Sequence, residues 1–277
     1  MRTPGGHRPT RHVDALAVKS FDQTRDPTLQ VHWLGMKRID ILGVPVDPMP
    51  SNELLDHVRR LHATGHATIS YVNVHVVNTA QTDMALAAFL HATDLVYCDG
   101  NGIRLGARIL GETIPARMTG ADWIWELAAH AEGRWKLFWL GGVDGVANAA
   151  ALHLKSQHPG LQIETDHGFH PRNGPEANAL VARINSYAPD ILLVGMGTPT
   201  QEMWVEANRS QLNVPVVWCV GAAADVLAGV ESRGPDWLIE HSEWLARLVA
   251  NPKAKWRRYL MGNPAFMFRV LGQRLGL

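Results

Sequence analysis

Asp99 ends an apolar run in Tyr97-Cys98-Asp99-Gly100-Asn101-Gly102-Ile103. A carboxylate in that position can take a proton from an attacking hydroxyl, the job of a general base. The same position suits a helix cap or a turn, and spacing alone does not choose between these readings. Asn73 closes another apolar run, Ala67 to Val72, and is a residue type that orients a hydroxyl or makes an ordinary turn.

A second kind of chemistry is suggested by Gly141-Gly142-Val143-Asp144-Gly145, which follows the apolar run Lys136 to Leu140. Unpaired backbone N–H groups at such a strand-to-helix turn, with the helix dipole behind them, favour a diphosphate. Plain strand-to-helix packing uses the same turn. Glu164 follows at a distance compatible with a ribose-binding acid, so an NAD-dependent oxidoreductase is the rival reading, although the Gly-x-Gly-x-x-Gly spacing is missing. Arg117, on the loop before a helix expected near Asp122, offers a guanidinium that could hold a departing diphosphate in place of a metal, or a solvated surface cation. In Thr198-Pro199-Thr200-Gln201-Glu202, Thr198 reads as a helix N-cap with Pro199 in the first turn; capping is the simplest reading of Gln201, and dipole compensation that of Glu202.

No metal site is expected. The chain has no Asp-x-Asp pair of the sort that clamps a divalent ion on a nucleotide-sugar diphosphate. Its fourteen histidines show no His-Glu-x-x-His spacing, and the close pair His167 and His170 reads as loop histidines.

These residues need elements to position them. Apolar runs end in glycine or aspartate clusters that open helices at Leu95–Tyr97, Lys136–Leu140, Ile191–Val194 and Val214–Val220, the last leading into Gly221-Ala222-Ala223-Ala224-Asp225. Strands alternating with helices imply an α/β, Rossmann-like fold, a largely parallel sheet with helices on both faces. Ligands bind beyond the carboxyl ends of such strands, so all four clusters should meet at one rim. Arg38 to Val46 reads as a hairpin broken by Gly43, and Ser51 as the cap of a helix to about Ala63.

Three parts are expected along the chain: a loose, Pro- and Gly-rich extension over 1–36, a catalytic domain over 37–235, and a helical appendage over 236–277 broken at Pro252 and Gly262-Asn263-Pro264. No stretch reads as a signal peptide or a membrane span. Cys98 and Cys219 read as buried free thiols in a reducing compartment. Net charge is zero, yet Arg247, Lys253, Lys255, Arg257, Arg258, Arg269 and Arg274 face no acidic residue after position 246, leaving minus seven on the first 246 residues. Basic residues interleaved with Trp256, Tyr259, Phe266, Met267 and Phe268 suit a lipid headgroup layer or docking on the acidic body, while no motif supports a nucleic-acid partner. The apolar pieces of this tail are also suited to packing on a second copy in a homo-oligomer.

Read in order, these runs resemble the WecG/TagA/CpsF glycosyltransferases. The resemblance rests on Asn73, Asp99 to Ile103, Arg117 to Asp122, Leu140 to Gly142, Gly195 to Trp204, Gly221 to Asp225, and Arg233-Gly234-Pro235 followed by Glu243 to Leu248, spanning roughly residues 38–258. It implies a Rossmann-like core, a C-terminal appendage at the inner face of the cytoplasmic membrane, and inverting transfer, which the missing Asp-x-Asp pair leads us to expect without a metal or other cofactor. The implied donor is a UDP-sugar carrying N-acetylmannosamine, N-acetylmannosaminuronic acid or glucuronic acid, and the implied acceptor a polyprenyl-diphosphate-linked saccharide of cell-surface polysaccharide synthesis. By the same resemblance Asp99 is the base, Asn73, Arg117, Gln201 and Asp225 are pocket residues, and Arg247 and Arg257 reach the acceptor diphosphate, while the turn chemistry of Gly141 and Gly142 puts their amides beside the UDP group.

Overall fold

The computed structural model describes residues 37–231, 252 and 256–277. The extension 1–36, the appendage boundary near Asp236 and Arg247 lie outside the described residues, as does the side chain of Arg257.

The core is a six-stranded, fully parallel sheet. Its strands are β3 (Ala67–Val72), β4 (Leu95–Cys98), β5 (Lys136–Gly141), β6 (Gln162–Asp166), β7 (Ile191–Gly195) and β8 (Val216–Cys219), in the order β4-β3-β8-β7-β5-β6. Every residue of β4, β7 and β8 is buried, as a sheet covered on both faces requires. This is the Rossmann-like α/β architecture expected from the apolar runs. Ahead of it, β1 (Ile39–Ile41) and β2 (Val44–Val46) form the expected hairpin; Leu42 and Gly43 both take positive φ, +55° and +75°, the geometry of a two-residue turn whose twist matches the strands.

The covering helices are α1 (Leu54–Thr64), α2 (Val74–Ala80), α3 (Met84–Ala92), α4 (Asn101–Leu110), α5 (Gly120–Ala131), α6 (Val146–Gln157), α7 (Pro175–Tyr187), α8 (Thr200–Asn208) and the short α9 (Ala223–Leu227). The inward residues of α2, α3, α4, α7 and α8 close one apolar core that includes Trp204, Phe138 and Leu90. Cys98 and Cys219 are free and buried within the same sheet, and burial pushes both thiols up, away from reactivity.

Two local expectations are corrected. Ser51 does not cap α1 but lies in a short 3-10 turn, Ser51–Glu53, that leads into it. Gly262-Asn263-Pro264 does not break the tail; the chain runs from a π-helical turn, Arg257–Met261, directly into α10 (Gly262–Leu275). The helix packs on α4 and α2, with Phe266 and Val270 fully buried. Gly106 of α4 is the seat for Phe266: a Cβ there would stand 2.8 Å from the ring. Polar ties reinforce the joint, since Arg269 donates to the Asn78 side chain at 2.6 Å and Asn78 donates to the Gly262 carbonyl at 2.8 Å. Arg269 is therefore partly used by the protein itself.

Candidate functional site

Parallel register carries the candidate residues to one edge. Val72 pairs with Cys98, so Asn73 and Asp99, 26 residues apart in sequence, leave neighbouring strands side by side. Asn73 is the N-cap of α2: its Oδ1 accepts from the N–H groups of His75 and Val76 at 3.0 and 3.1 Å. With the oxygen held by two donors, the amide nitrogen must point the other way, and Asn73 Nδ2 donates to Asp99 Oδ2 at 3.3 Å. The cap and the carboxylate contact are thus one device. Asp99 itself is half-buried, and its backbone N–H is held by the Val72 carbonyl at 2.8 Å. The N-cap of α4 is Gly100, which offers no side chain, so a cap by the side chain of the N-cap residue is not how that helix starts.

The loop bearing Arg117 is tied to the same corner, because Met118 N–H donates to the Cys98 carbonyl at 2.8 Å. Arg117 therefore belongs to the Asp99 end of the rim. Downstream, Thr119 precedes α5 and donates its hydroxyl to the Asp122 carboxylate at 2.6 Å.

The glycine turn sits elsewhere on that edge. From β4 to β5 there are four strand positions, about 19 Å at ~4.8 Å per strand. α9 bridges part of that span: the Cβ positions of Gly120, three residues after Arg117, and of Gly141 stand 3.0 and 3.3 Å from the methyl groups of Ala223 and Ala224. The chain leaves β7 toward β8 and leaves β5 toward β6, in opposite directions, so the crevice of the sheet opens between β7 and β5. Gly141 pairs with Gly195 across it. The loop after β6 crosses here, with Gly168 N–H donating to the Gly142 carbonyl at 2.8 Å. Asp225, half-buried in α9, brings Oδ1 to 3.2 Å from where a Cβ on Gly142 would stand.

Two expectations at the third strand end change. Thr198 is not the cap of α8; its hydroxyl donates to Glu202 Oε1 at 2.8 Å, and Pro199 is the N-cap residue. Gln201 is fully buried, accepting from Gly221 N–H at 3.0 Å and donating to Glu202 Oε1 at 2.8 Å. It is a bracket between the loops after β7 and β8, with no side-chain atom left for a sugar. The first turn of α8 simply faces inward, and helical rotation, unlike residue type, is not visible in five residues.

Glu202 is the more informative group. It is fully buried, its Oε2 has no hydrogen-bond partner, and burial pushes its carboxyl from 4.5 up to about 7 against the pull of Gln201 and Thr198. The folded state holds the proton that the unfolded chain releases above 4.5, so stability falls as pH rises from 4.5 to about 7 and levels off above that, by up to ~3 kcal/mol at ~1.4 kcal/mol per pH unit. Glu202→Gln is expected to flatten this decline in urea unfolding across that window. The same slope in both proteins would exclude Glu202 as its source.

The rival acid, Glu164, lies within β6 opposite Phe138, two residues short of the strand's end, and its carboxylate is 3.9 Å from Arg183. It does not reach the crevice. The β6 end instead gathers Asp166, His167 and His170, with one ligand-capable atom of each within 4.8 Å of the others. Tyr71 is a rim residue that residue type did not single out: its hydroxyl lies 2.5 Å from the place of a Cβ on Gly221.

A parallel sheet with a carboxylate at one end of its carboxyl edge and a glycine-lined crevice farther along defines a Rossmann-like enzyme. The chain belongs to the glycosyl transferase WecG/TagA/CpsF family, whose model matches residues 39–277. It is accordingly a glycosyltransferase. Two proteins of Staphylococcus aureus, from strains NCTC 8325 / PS 47 and COL, are each 28% identical to it over 241 residues, covering 84% of this chain and 92% of their own. Both are named N-acetylglucosaminyldiphosphoundecaprenol N-acetyl-beta-D-mannosaminyltransferase.

Proposed function

We propose that this chain moves a sugar of the N-acetylmannosamine, N-acetylmannosaminuronic acid or glucuronic acid type from a UDP donor to a saccharide on a polyprenyl diphosphate, inverting the anomeric centre. The observation that carries this reading is the Asp99 carboxylate, set by the Asn73 amide at 3.3 Å on the same strand edge as the glycine-lined crevice.

In the reaction, the acceptor hydroxyl oxygen bonds to the anomeric carbon, its proton passes to Asp99, and the bond from that carbon to the diphosphate breaks with its electron pair going to UDP. Inversion of an α-linked donor gives a β-linked product, in keeping with the beta descriptor in the relatives' name. The donor lies along the rim, its sugar and diphosphate near Asp99 and Arg117 and its nucleoside toward Gly141, Gly142 and Asp225. Arg117 carries charge growing on the departing diphosphate, so the bond exchange itself needs no metal. Arg247 and Arg257 serve the acceptor diphosphate.

The acceptor is lipid-linked, which calls for a membrane-facing surface at the inner face of the membrane. On α10, Phe268, Leu271 and Leu275 are exposed at helical spacing, and Leu260 and Met261 continue the apolar surface. Among the described residues no helix is long and apolar enough to cross a membrane, so contact through this face is peripheral.

UDP is expected to raise the melting temperature of the chain in proportion to the logarithm of its concentration above Kd, whereas NAD leaves it unchanged. No response to millimolar UDP would sink the donor assignment.

A further inference from the structure

Residues 112–119, the segment that carries Arg117, form neither helix nor strand. No repeating backbone ladder sets the course of such a segment, so individual ties must do it. Two are plain: Ile114 is sunk in the apolar core at 3% exposure, and Met118 N–H donates to the Cys98 carbonyl at 2.8 Å. The third is Arg104. Its Nε donates to the Ile114 carbonyl at 3.2 Å and its Nη2 to the Pro115 carbonyl at 3.1 Å, so one edge of the guanidinium spans two successive carbonyls. Its Nη1 donates to Asn101 Oδ1 at 3.3 Å, from the other corner of the same rigid plane.

The mount of this side chain is itself fixed. Arg104 and Asn101 lie in the opening turns of α4, which begins two residues after Asp99. Gly102, between them, lies against α2: a Cβ there would stand 2.5 Å from Val74 Cγ2, so the start of α4 is wedged against the residue that follows the Asn73 cap. The charges gather at the same corner. Burial and then the Asp99 charge push the Cys98 thiol up, while the cations Arg104 and Arg117 pull it down, so both guanidinium groups act on the sulfur next to the base.

We infer that Arg104 is a positioning residue, which clamps the Ile114 and Pro115 carbonyls to α4 and thereby holds Arg117 at the diphosphate of the donor. The inference rests on the assignment of Arg117 to that diphosphate. Arg104 acts through the loop and not on the phosphate, because each of its three nitrogens already donates to the protein. Arginine suits the task, since its planar fork meets two acceptors at once where an ammonium offers a single point. Without the clamp the chain ahead of Arg117 loses the ties at both carbonyls, and misplacing a charge-stabilising group by ~1 Å is enough to cost about 10²-fold.

The test is a double-mutant cycle on the full-length chain, read by calorimetric titration with UDP and, separately, with UMP, which lacks the outer phosphate. Arg117→Ala is expected to weaken UDP binding by ~10–100-fold, the worth of a charged hydrogen bond. Arg104→Ala should weaken it by ~10-fold, and the double variant no more than Arg117→Ala alone. UMP affinity should stay within about twofold throughout, a split that general damage to the fold would not produce. Arg104→Lys, which keeps the charge and loses the fork, goes through the same cycle with an intermediate loss expected, and circular dichroism checks the folding of each variant. Wild-type UDP affinity in every folded Arg104 variant, an equal loss for UMP, or a further loss when Arg104→Ala is added to Arg117→Ala would overturn the clamp. Wild-type UDP affinity in Arg117→Ala is the separate outcome that removes Arg117 from the diphosphate, and the clamp with it.

Discussion

Asp99→Asn is expected to lower turnover by about 10²–10⁴-fold, the usual worth of a positioned general base, while UDP raises the melting temperature as much as in the unsubstituted chain. The substitution is nearly isosteric. An asparagine can still present an oxygen to Asn73 Nδ2, now at 3.3 Å from the carboxylate, and the backbone bond from residue 99 to the Val72 carbonyl is untouched. What disappears is the capacity to hold the acceptor's proton. Steady-state rates with a lipid-diphosphate acceptor, paired with a UDP thermal shift, separate loss of chemistry from loss of binding. Turnover within tenfold of the original would remove Asp99 from the role, whatever the UDP result.

Gly195→Ala is expected to destabilise the fold by roughly 3 kcal/mol and to distort the crevice. A Cβ on Gly195 would stand 2.5 Å from the Gly221 carbonyl oxygen, a backbone atom that moves only if the ends of β7 and β8 separate. Separation would also pull Gly221 from the Gln201 carbonyl that accepts its N–H at 3.0 Å. Gly133→Ala supplies the contrast. Gly133 has φ +68° with nothing within 4 Å of its Cβ position, so it costs only the ~1 kcal/mol of a left-handed backbone. Urea unfolding of both variants tests the argument, which fails if Gly195→Ala is the milder of the two.

Much of this protein is legible locally. The strands β4, β7 and β8 announce themselves because a strand buried on both faces must be apolar throughout, and the clusters that follow them mark the rim. By contrast Gln162–Asp166 carries a single isoleucine among polar residues, because Ile163 is the one position of this strand that is buried, and no apolar run marks it. Gly262-Asn263-Pro264 looks like a break until Phe266 and Val270 find their seat on α4, a contact made across more than 150 residues of chain.

The amino-acid sequence by itself determined the fold class and which clusters lie at strand ends, because burial pattern and turn chemistry are local properties. Only the tertiary structure decided which clusters touch. Parallel register set Asn73 against Asp99, and strand order put the glycine turn four positions away from them. It also turned Gln201 inward, because the direction of a side chain depends on how its helix is rotated against the sheet, and that rotation is chosen by packing between residues far apart in the chain.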